Sequence, residues 1–292
     1  PKPSSAASDV YKRQLVYGEQ GASARFFRAL ASIPVHLLPA GGRQRLRPMR
    51  VEELAEVVAR LLRGDPHGPA VLNLVGGTEV EFRQMLAVYR NSMGFAPAWQ
   101  VPVPAWLVSG GAILLNRLPG SLLTRDTWRM LRAGNTADAV TTTRALGRAP
   151  DGIESFIGPS DALPLRHQAL AAWRPGLLRG ALALIWLWTA VCSAFLYPVA
   201  GSLVLLEPVG LHGAAAQAAL YLAAGLDFVL GIATLWRPGR RLWAAQLALV
   251  VAYTAIIAVA LPEYLLHPFG PVLKNVAIVA LLFILLTEET KP

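Results

Sequence analysis

The last third of the sequence consists of long apolar runs separated by short polar turns. Only Asp227 and Lys274 place a charge inside these runs, which occupy residues 180–206, 213–236, 242–261 and 272–287. A helix needs about 20 apolar residues to cross the hydrocarbon core of a bilayer. Three runs meet that length, and the fourth needs the long Lys274 side chain to reach the headgroups. Buried helices of a soluble protein are the alternative, but these runs have no polar face for water. We predict an all-α bundle of four transmembrane helices over residues 180–292.

Residues 15–160 have a different pattern, in which short apolar segments alternate with amphipathic ones, and this is typical of an α/β domain. The predicted strands are residues 15–18, 35–42 and 70–77. The predicted helices are residues 24–31, 51–64 and 79–93, and another is expected to open at 101–107. Thr78 is the expected N-cap of helix 79–93, with Glu81 as its capping-box partner. Residues 161–179, which carry prolines and arginines, are predicted to be a linker.

The charges predict an orientation in the membrane. The chain has a formal net charge of +9, yet residues 180–292 hold five basic and five acidic residues, so the excess lies before them. Such an excess indicates a domain beside an anionic membrane surface. Nucleic-acid binding is disfavoured, because the sequence contains no basic stripe interleaved with aromatic residues. Basic residues flank the first run and fill the turn after the second, at Arg174, Arg179, Arg237, Arg240 and Arg241. The positive-inside rule then places both termini and the α/β part in the cytoplasm, at a bacterial inner membrane.

Residues 4–14, SSAASDVYKRQ, have the sequence obtained by translating a common sequencing adapter in one reading frame. Segments of this kind are set aside before a fold is considered. We therefore interpret residues 1–14 as an artefact, and we expect the natural chain to begin upstream of Leu15.

The apolar runs contain the clearest candidate site. An ionisable residue inside a membrane helix is a functional candidate by default, and Asp227 is the strongest case. We expect it to face the bundle interior, with Lys274, Glu263 or His267 as partners at the outer side. An ion pair that holds the bundle together is one interpretation, and a quinone-facing or proton-handling site is the other. The histidines show no ligand spacing, so no metal site is predicted.

The α/β part offers weaker candidates. Val16 and Tyr17 end a predicted strand, which is the rim where ligands bind in open α/β sheets, although a core position is the favoured alternative for both. The nearby basic residues Arg43, Arg45 and Arg47 suit either a phosphate-bearing substrate or a solvated loop beside lipid headgroups. Glu52 and Glu53 suit the first turn of a helix, where the dipole favours acids.

Several segments of residues 15–160 resemble the second half of a short-chain dehydrogenase/reductase of the extended or atypical type. They are LVYG, LPAGGRQRLRPMRVEELAEVVARLL, VLNLVGGTEVEFRQMLAVYRNSMG and LPGSLLTRDTWRMLRAGNTAD, the last similar to the complex I accessory-subunit branch. Arg50 stands where that family has histidine, and Glu52 and Glu53 stand where it has aspartates. The resemblance implies a truncated Rossmann-like fold in which Val16 and Tyr17 flank a nicotinamide. The glycine-rich turn and the Tyr-x-x-x-Lys pair of the family have no counterpart here, so no catalytic residue is carried over.

The last third resembles the DoxX-like membrane family of four-helix bundles, above all in HPFGPVLKN at residues 267–275. Together the two resemblances imply a fragment of a membrane-anchored NAD(P)-dependent oxidoreductase or epimerase-like protein. NAD or NADP would bind the full-length parent and not this chain, and a quinone or a membrane protein assembly would be the partner. Two alternatives stay open: a non-catalytic NAD(P)H-binding module tied to a membrane assembly, and a structural DoxX-like membrane protein. Whether the chain is an enzyme is left open.

Overall fold

The structure of the chain is a computed structural model that describes residues 15–63, 72–104, 106, 134, 136–267, 270 and 272–289. The chain divides into two compact units, with the boundary between Ala172 and Trp173. The first unit mixes short strands with helices, and the second is helical.

The first unit contains few and short strands. Strands β1 (Val16–Tyr17) and β4 (Met49–Arg50) form a parallel pair, as do β2 (Val35–Pro39) and β6 (Trp99–Val103). Strands β3 (Arg45–Leu46) and β5 (Val80–Glu81) form an antiparallel pair. Within the described ranges each strand has one neighbour only. These pairs establish local strand order and register, but they do not amount to a doubly wound sheet.

The helices of the first unit bury one side each. They are α1 (Ala22–Ser32), α2 (Val51–Arg63), α3 (Phe82–Ser92), α4 (Val140–Leu146) and α5 (Ala162–Ala171). In α2, Val57 is fully buried and packs in one cluster with Met49, Leu74 and Leu146. A larger core joins α1, α3 and α5 through residues such as Phe27, Met85 and Leu165. The predicted helices 24–31 and 51–64 are therefore confirmed to within two residues.

The start of α3 differs from the prediction. Helix α3 begins at Phe82, and its N-cap is Glu81, whose side chain and that of Gln84 form a capping box. The backbone N–H of Glu81 donates to Gln84 Oε1 at 2.9 Å. The predicted cap at Thr78 is wrong because Val80 and Glu81 are held extended in β5 by pairing with β3.

Two other local predictions are wrong. Residues 101–103 belong to β6, because Val101 and Val103 pair with Leu37 and Pro39 of β2 rather than opening a helix. Residues 72–77 form no strand, while the rest of the predicted strand 70–77 lies outside the described residues. The linker 161–179 stays a prediction, and most of its residues are helical, since α5 occupies 162–171 and helix α6 (Arg174–Val191) follows. Pro164 and Pro175 lie in the first turns of these helices, where a missing N–H is tolerated.

The buried acid of α2 fastens a later loop. Glu53 is 2% exposed, and its Oε1 accepts hydrogen bonds from Arg148 Nη1 at 2.9 Å and from the backbone N–H of Asp151 at 2.8 Å. Glu53 thus ties α2 to the segment that follows α4. This contact is a more specific role than the favourable position near a helix dipole that the sequence indicated.

One arginine of the 43–47 cluster is a backbone clamp. Arg47 Nε donates to the carbonyl oxygen of Gly76 at 2.9 Å, Nη2 to Gly77 at 3.0 Å and Nη1 to Ala137 at 2.8 Å. Arg45, two residues earlier, is exposed and forms a salt bridge of 3.3 Å with Glu79. The cluster is therefore not uniformly a solvated loop, because Arg47 binds two separate stretches of backbone, at residues 76–77 and at residue 137.

The second unit consists of apolar helices. After α6, a π-helical turn (Cys192–Leu196) leads to α7 (Val199–Leu206), followed by α8 (Gly213–Trp236), α9 (Arg240–Ala260), α10 (Glu263–Leu266) and α11 (Asn275–Glu288). Three helical segments are long and apolar enough to cross a membrane: the one ending at Leu196, α8 and α9. Helix α11 has 14 residues, so it is about 21 Å long at 1.5 Å per residue.

The predicted first span, residues 180–206, is not one helix. The backbone is extended at Tyr197, and α7 starts after Pro198. Proline disfavours a helical conformation in the residue before it and removes a backbone donor, which explains the break. The helical bundle itself agrees with the prediction of an all-α membrane part.

The interior of the second unit forms where α6 and α8 cross. Buried residues recur every three or four positions along α8, from Ala216 through Ala224 and Asp227 to Thr234. A Cβ atom built on Gly231 would lie 2.7 Å from Leu187 Cγ and 3.2 Å from the Leu187 backbone nitrogen. The glycine therefore allows the two helix backbones to approach closely, as small residues do between membrane helices. The opposite face of α8 is apolar and exposed, as a lipid-facing surface would be.

Candidate functional site

A buried carboxyl group lies in the interior of the membrane unit. Asp227 is only 6% exposed, although it is the one charged residue of a largely apolar helix. Its Oδ1 atom is buried and has no hydrogen-bond partner. A buried carboxyl group is stable only when a cation, a hydrogen-bond donor or a bound proton compensates for the lost water. Asp227 thus presents an unused acceptor atom within the bundle.

Tyr253 of α9 is the residue that the structure brings toward this acid. The two side chains are close enough to interact electrostatically. The next residue, Thr254, accepts a hydrogen bond at 2.9 Å from Asn275 Nδ2 at the start of α11. Tyr253 thus relates α9 to Asp227 of α8, and Thr254 joins α9 to α11. Sequence reasoning missed Tyr253 because nothing in the sequence indicates which faces of two apolar helices meet.

A chain of hydrogen bonds continues from α8 to the neighbouring helices. Trp186 Nε1 of α6 donates to Gln246 Oε1 of α9 at 3.0 Å, and Gln246 Nε2 donates to Thr234 Oγ1 of α8 at 2.8 Å. Gln246 and Thr234 are fully buried. Thr234 follows Asp227 by seven residues, so it lies about two turns further along the same face of α8. The inner face of α8 therefore carries two polar side chains, Asp227 and Thr234. Thr234 already has hydrogen-bond partners, in Gln246 and the carbonyl oxygen of Leu230.

The expected partners of Asp227 lie at the surface of the second unit. Lys274, Glu263 and His267 are all exposed, and His267 stacks on Tyr264 with ring centroids 6.3 Å apart. In the described part of the chain no ion pair joins Asp227 to Lys274. Whether these three residues share a polar site with Asp227 stays a prediction. Within the same residues, no group of three His, Cys, Asp or Glu side chains is arranged to hold a metal ion.

The candidates of the first unit occupy a core position. Tyr17 is 5% exposed, and its ring lies against Tyr89 and Phe156 with centroids 5.6 and 4.9 Å away. The Tyr17 hydroxyl accepts a hydrogen bond of 3.0 Å from Arg28 Nη1. Burial raises the pKa of Tyr17, and the nearby Arg28 partly opposes that rise. Val16 precedes it in β1 and is half-buried. A contact of these two residues with a nicotinamide stays a prediction.

The helices of the second unit have a counterpart among known families. Residues 183–283 match the DoxX-like family. This DoxX-like domain starts within α6, ends within α11 and includes Asp227, Tyr253 and the Trp186–Gln246–Thr234 chain. The match and the three long apolar helices fit a multi-pass DoxX-like membrane domain. The match covers about a third of the chain and leaves the first unit outside it. No curated protein matches the sequence.

Proposed function

We propose that the DoxX-like domain crosses the bacterial inner membrane four times and holds the first unit at its cytoplasmic surface. Arg174, Arg179, Arg237, Arg240 and Arg241 flank one end of the helices, whereas residues 197–213 and 261–273 contain no lysine or arginine. The positive-inside rule supports placing the arginines in the cytoplasm. Four crossings then return the C-terminus to the same side, with α11 as the last crossing.

We further propose that the domain binds a lipid-soluble quinone at Asp227, or passes a proton there. The observation that supports this is the buried Oδ1 atom without a hydrogen-bond partner. A reduced quinone carries hydroxyl groups that can donate a hydrogen bond to that atom, and the carbonyl of an oxidised quinone can accept a hydrogen bond from the carboxyl group when it is protonated. Tyr253 supplies a second polar side chain on the neighbouring helix. The proposal therefore concerns the one acid of α8, whose Oδ1 atom has no hydrogen-bond partner.

Asp227→Asn is expected to weaken quinone binding at least tenfold while the fold is retained, because asparagine has nearly the same shape but cannot hold a proton. A change of that size corresponds to about 1.4 kcal/mol. Binding of a short-chain quinone to the purified chain is measured by quenching of tryptophan fluorescence, for which the buried Trp186 is a suitable reporter.

Glu207→Gln is the matched control, since it removes an exposed carboxylate from the turn between α7 and α8. It should leave the affinity unchanged. Saturable quenching of equal strength in Asp227→Asn would contradict a role of Asp227. Absence of saturable quenching in the unsubstituted chain would leave the domain as a structural membrane anchor.

We also propose that the first unit is the C-terminal part of an NAD(P)-binding, reductase-like domain whose parent is an oxidoreductase. The parallel pairing of β1 with β4 and of β2 with β6 supports this, because parallel strands are typical of α/β domains. The order β4 then α2, with no residue between them, also suits such a domain. The nucleotide would be held by upstream residues that carry the glycine-rich turn.

Residues 15–292 alone are therefore expected to show no thermal shift with NADH or NADPH. A protein that includes the upstream coding region of the source locus should show such a shift. Bound nucleotide adds about 2.7 kcal/mol to the free energy of unfolding when the free nucleotide is at 100 times its Kd. A clear shift for residues 15–292 would contradict the assignment of the nucleotide site to upstream residues. No shift for either protein would contradict the reductase-like proposal as a whole.

A further inference from the structure

The outer face of α8 carries a groove at the end of the helix that Arg237 terminates. Phe228, Val229, Ile232, Ala233, Trp236 and Arg237 line an open cavity of about 500 Å³. Residues four apart lie above one another on a helix, so these six form two adjacent rows over roughly 13 Å of helix. The groove thus has the elongated form that an extended hydrocarbon chain requires.

The groove faces away from the bundle. The inward positions of α8 over the same stretch are Asp227, Leu230, Gly231 and Thr234. On the groove side, Phe228 is 53% exposed and Trp236 is 82% exposed. In a membrane such a surface is covered by lipid chains, because no other helix of the described part of the domain covers it. Trp236 stands at the polar end of the groove, where interfacial tryptophans are enriched.

Unpaired positive charge lies at the same end. Arg237 lines the groove, and Arg240 and Arg241 follow it in the first turn of α9. All three are exposed, and none takes part in an ion pair or a side-chain hydrogen bond of the described residues. Glu289, an acid of the C-terminal segment, already accepts a hydrogen bond of 3.0 Å from Trp243 Nε1. A guanidinium group matches a phosphate diester in charge and donor geometry.

From this juxtaposition we infer that the Arg237 end of α8 is a binding site for an anionic phospholipid. One acyl chain lies along Phe228, Ile232 and Trp236, and the phosphate contacts Arg237 with Arg240 and Arg241 nearby. The site is independent of Asp227 and of the number of membrane crossings, since it uses only the outer face of one helix and the turn after it. The lipid binds where α8 and α9 are joined, so it would stabilise that connection.

The test compares lipids on the purified full chain in detergent. Native mass spectrometry is used to titrate phosphatidylglycerol, phosphatidylcholine with the same acyl chains, and soluble glycerol phosphate. Phosphatidylglycerol is expected to bind saturably and at least about fivefold more tightly than phosphatidylcholine, which corresponds to one arginine near the surface. Glycerol phosphate, which lacks the chains, should bind far more weakly. Equal affinity for the two lipids, or equally strong binding of glycerol phosphate, would overturn the site.

Variants separate the headgroup contact from the acyl groove. Arg237→Gln should lower phosphatidylglycerol affinity about fivefold and phosphatidylcholine affinity by less, because the choline cation of that lipid already neutralises its phosphate. Ala233→Phe, which fills the groove, should weaken both lipids. Arg174→Gln is the matched control, because it removes an exposed arginine at the start of α6. An equal loss in Arg174→Gln, or no loss in Arg237→Gln, would show that the arginines act only as a diffuse charge.

Discussion

Gly231→Val is expected to destabilise the membrane domain by about 1–3 kcal/mol. The new Cβ would meet Leu187 Cγ and Cδ2 at 2.7 Å and the Leu187 backbone nitrogen at 3.2 Å. The leucine side chain can rotate away only by losing its own packing, and the backbone of α6 cannot move without separating from α8. Unfolding in detergent mixtures of increasing sodium dodecyl sulfate, followed by helical circular dichroism, measures the loss.

Gly225→Val is the control, because Gly225 lies in the same helix and a Cβ atom added there would meet no neighbouring side chain or other helix within 4 Å. It carries the same change in side-chain entropy and helix propensity without the clash. Gly231→Ala should give a smaller loss than Gly231→Val, since only one methyl group is added. Equal midpoints for the valine variants at 225 and 231 would contradict the close crossing of α6 and α8.

Arg47→Ala is expected to destabilise the first unit by about 2–3 kcal/mol, because three backbone carbonyls lose a charged donor at once. Lysine should not restore the stability, since a single ammonium group cannot replace the guanidinium fork at three separate oxygens. Hydrogen exchange of residues 72–77 in the full chain, with the thermal unfolding midpoint of the first unit, measures the effect.

Arg45→Ala provides the comparison two residues away. Its exposed salt bridge with Glu79 should contribute at most about 1 kcal/mol. Equal losses of stability in Arg45→Ala and Arg47→Ala, or full stability in Arg47→Lys, would contradict a stabilising role of the three Arg47 hydrogen bonds to residues 76, 77 and 137.

The sequence predicted the membrane helices well because long apolar runs have few other structural solutions. Helices α8 and α9 lie close to runs 213–236 and 242–261. The break at Pro198 was missed, although the proline is visible in the sequence, since hydrophobicity continues through it. In the first unit, strands of two residues are too short for alternation to identify, and β6 was mistaken for the start of a helix because the apolar run VPVPAWL continues past the end of the strand.

The candidate site was predicted only in part. Asp227 stands out in the sequence because it is the only charge in its run. Gln246, Thr234 and Trp186 were missed, although a glutamine within an apolar helix was a usable signal. Their connection depends on which faces of α6, α8 and α9 meet, and the sequence does not define those faces. The clamp of Arg47 was missed for a similar reason, since its acceptors are backbone oxygens at residues 76, 77 and 137.

The number of membrane crossings tests the account most directly, because α11 is shorter than the roughly 30 Å hydrocarbon core that it must cross. In a Cys192→Ser chain, the separate substitutions Glu288→Cys, Gly239→Cys and His212→Cys are labelled with an impermeant maleimide on spheroplasts. The account predicts that position 212 reacts from outside, while positions 239 and 288 react only after permeabilisation. Labelling of position 288 from outside together with position 212 would contradict it, and would mean three crossings with the C-terminus exported.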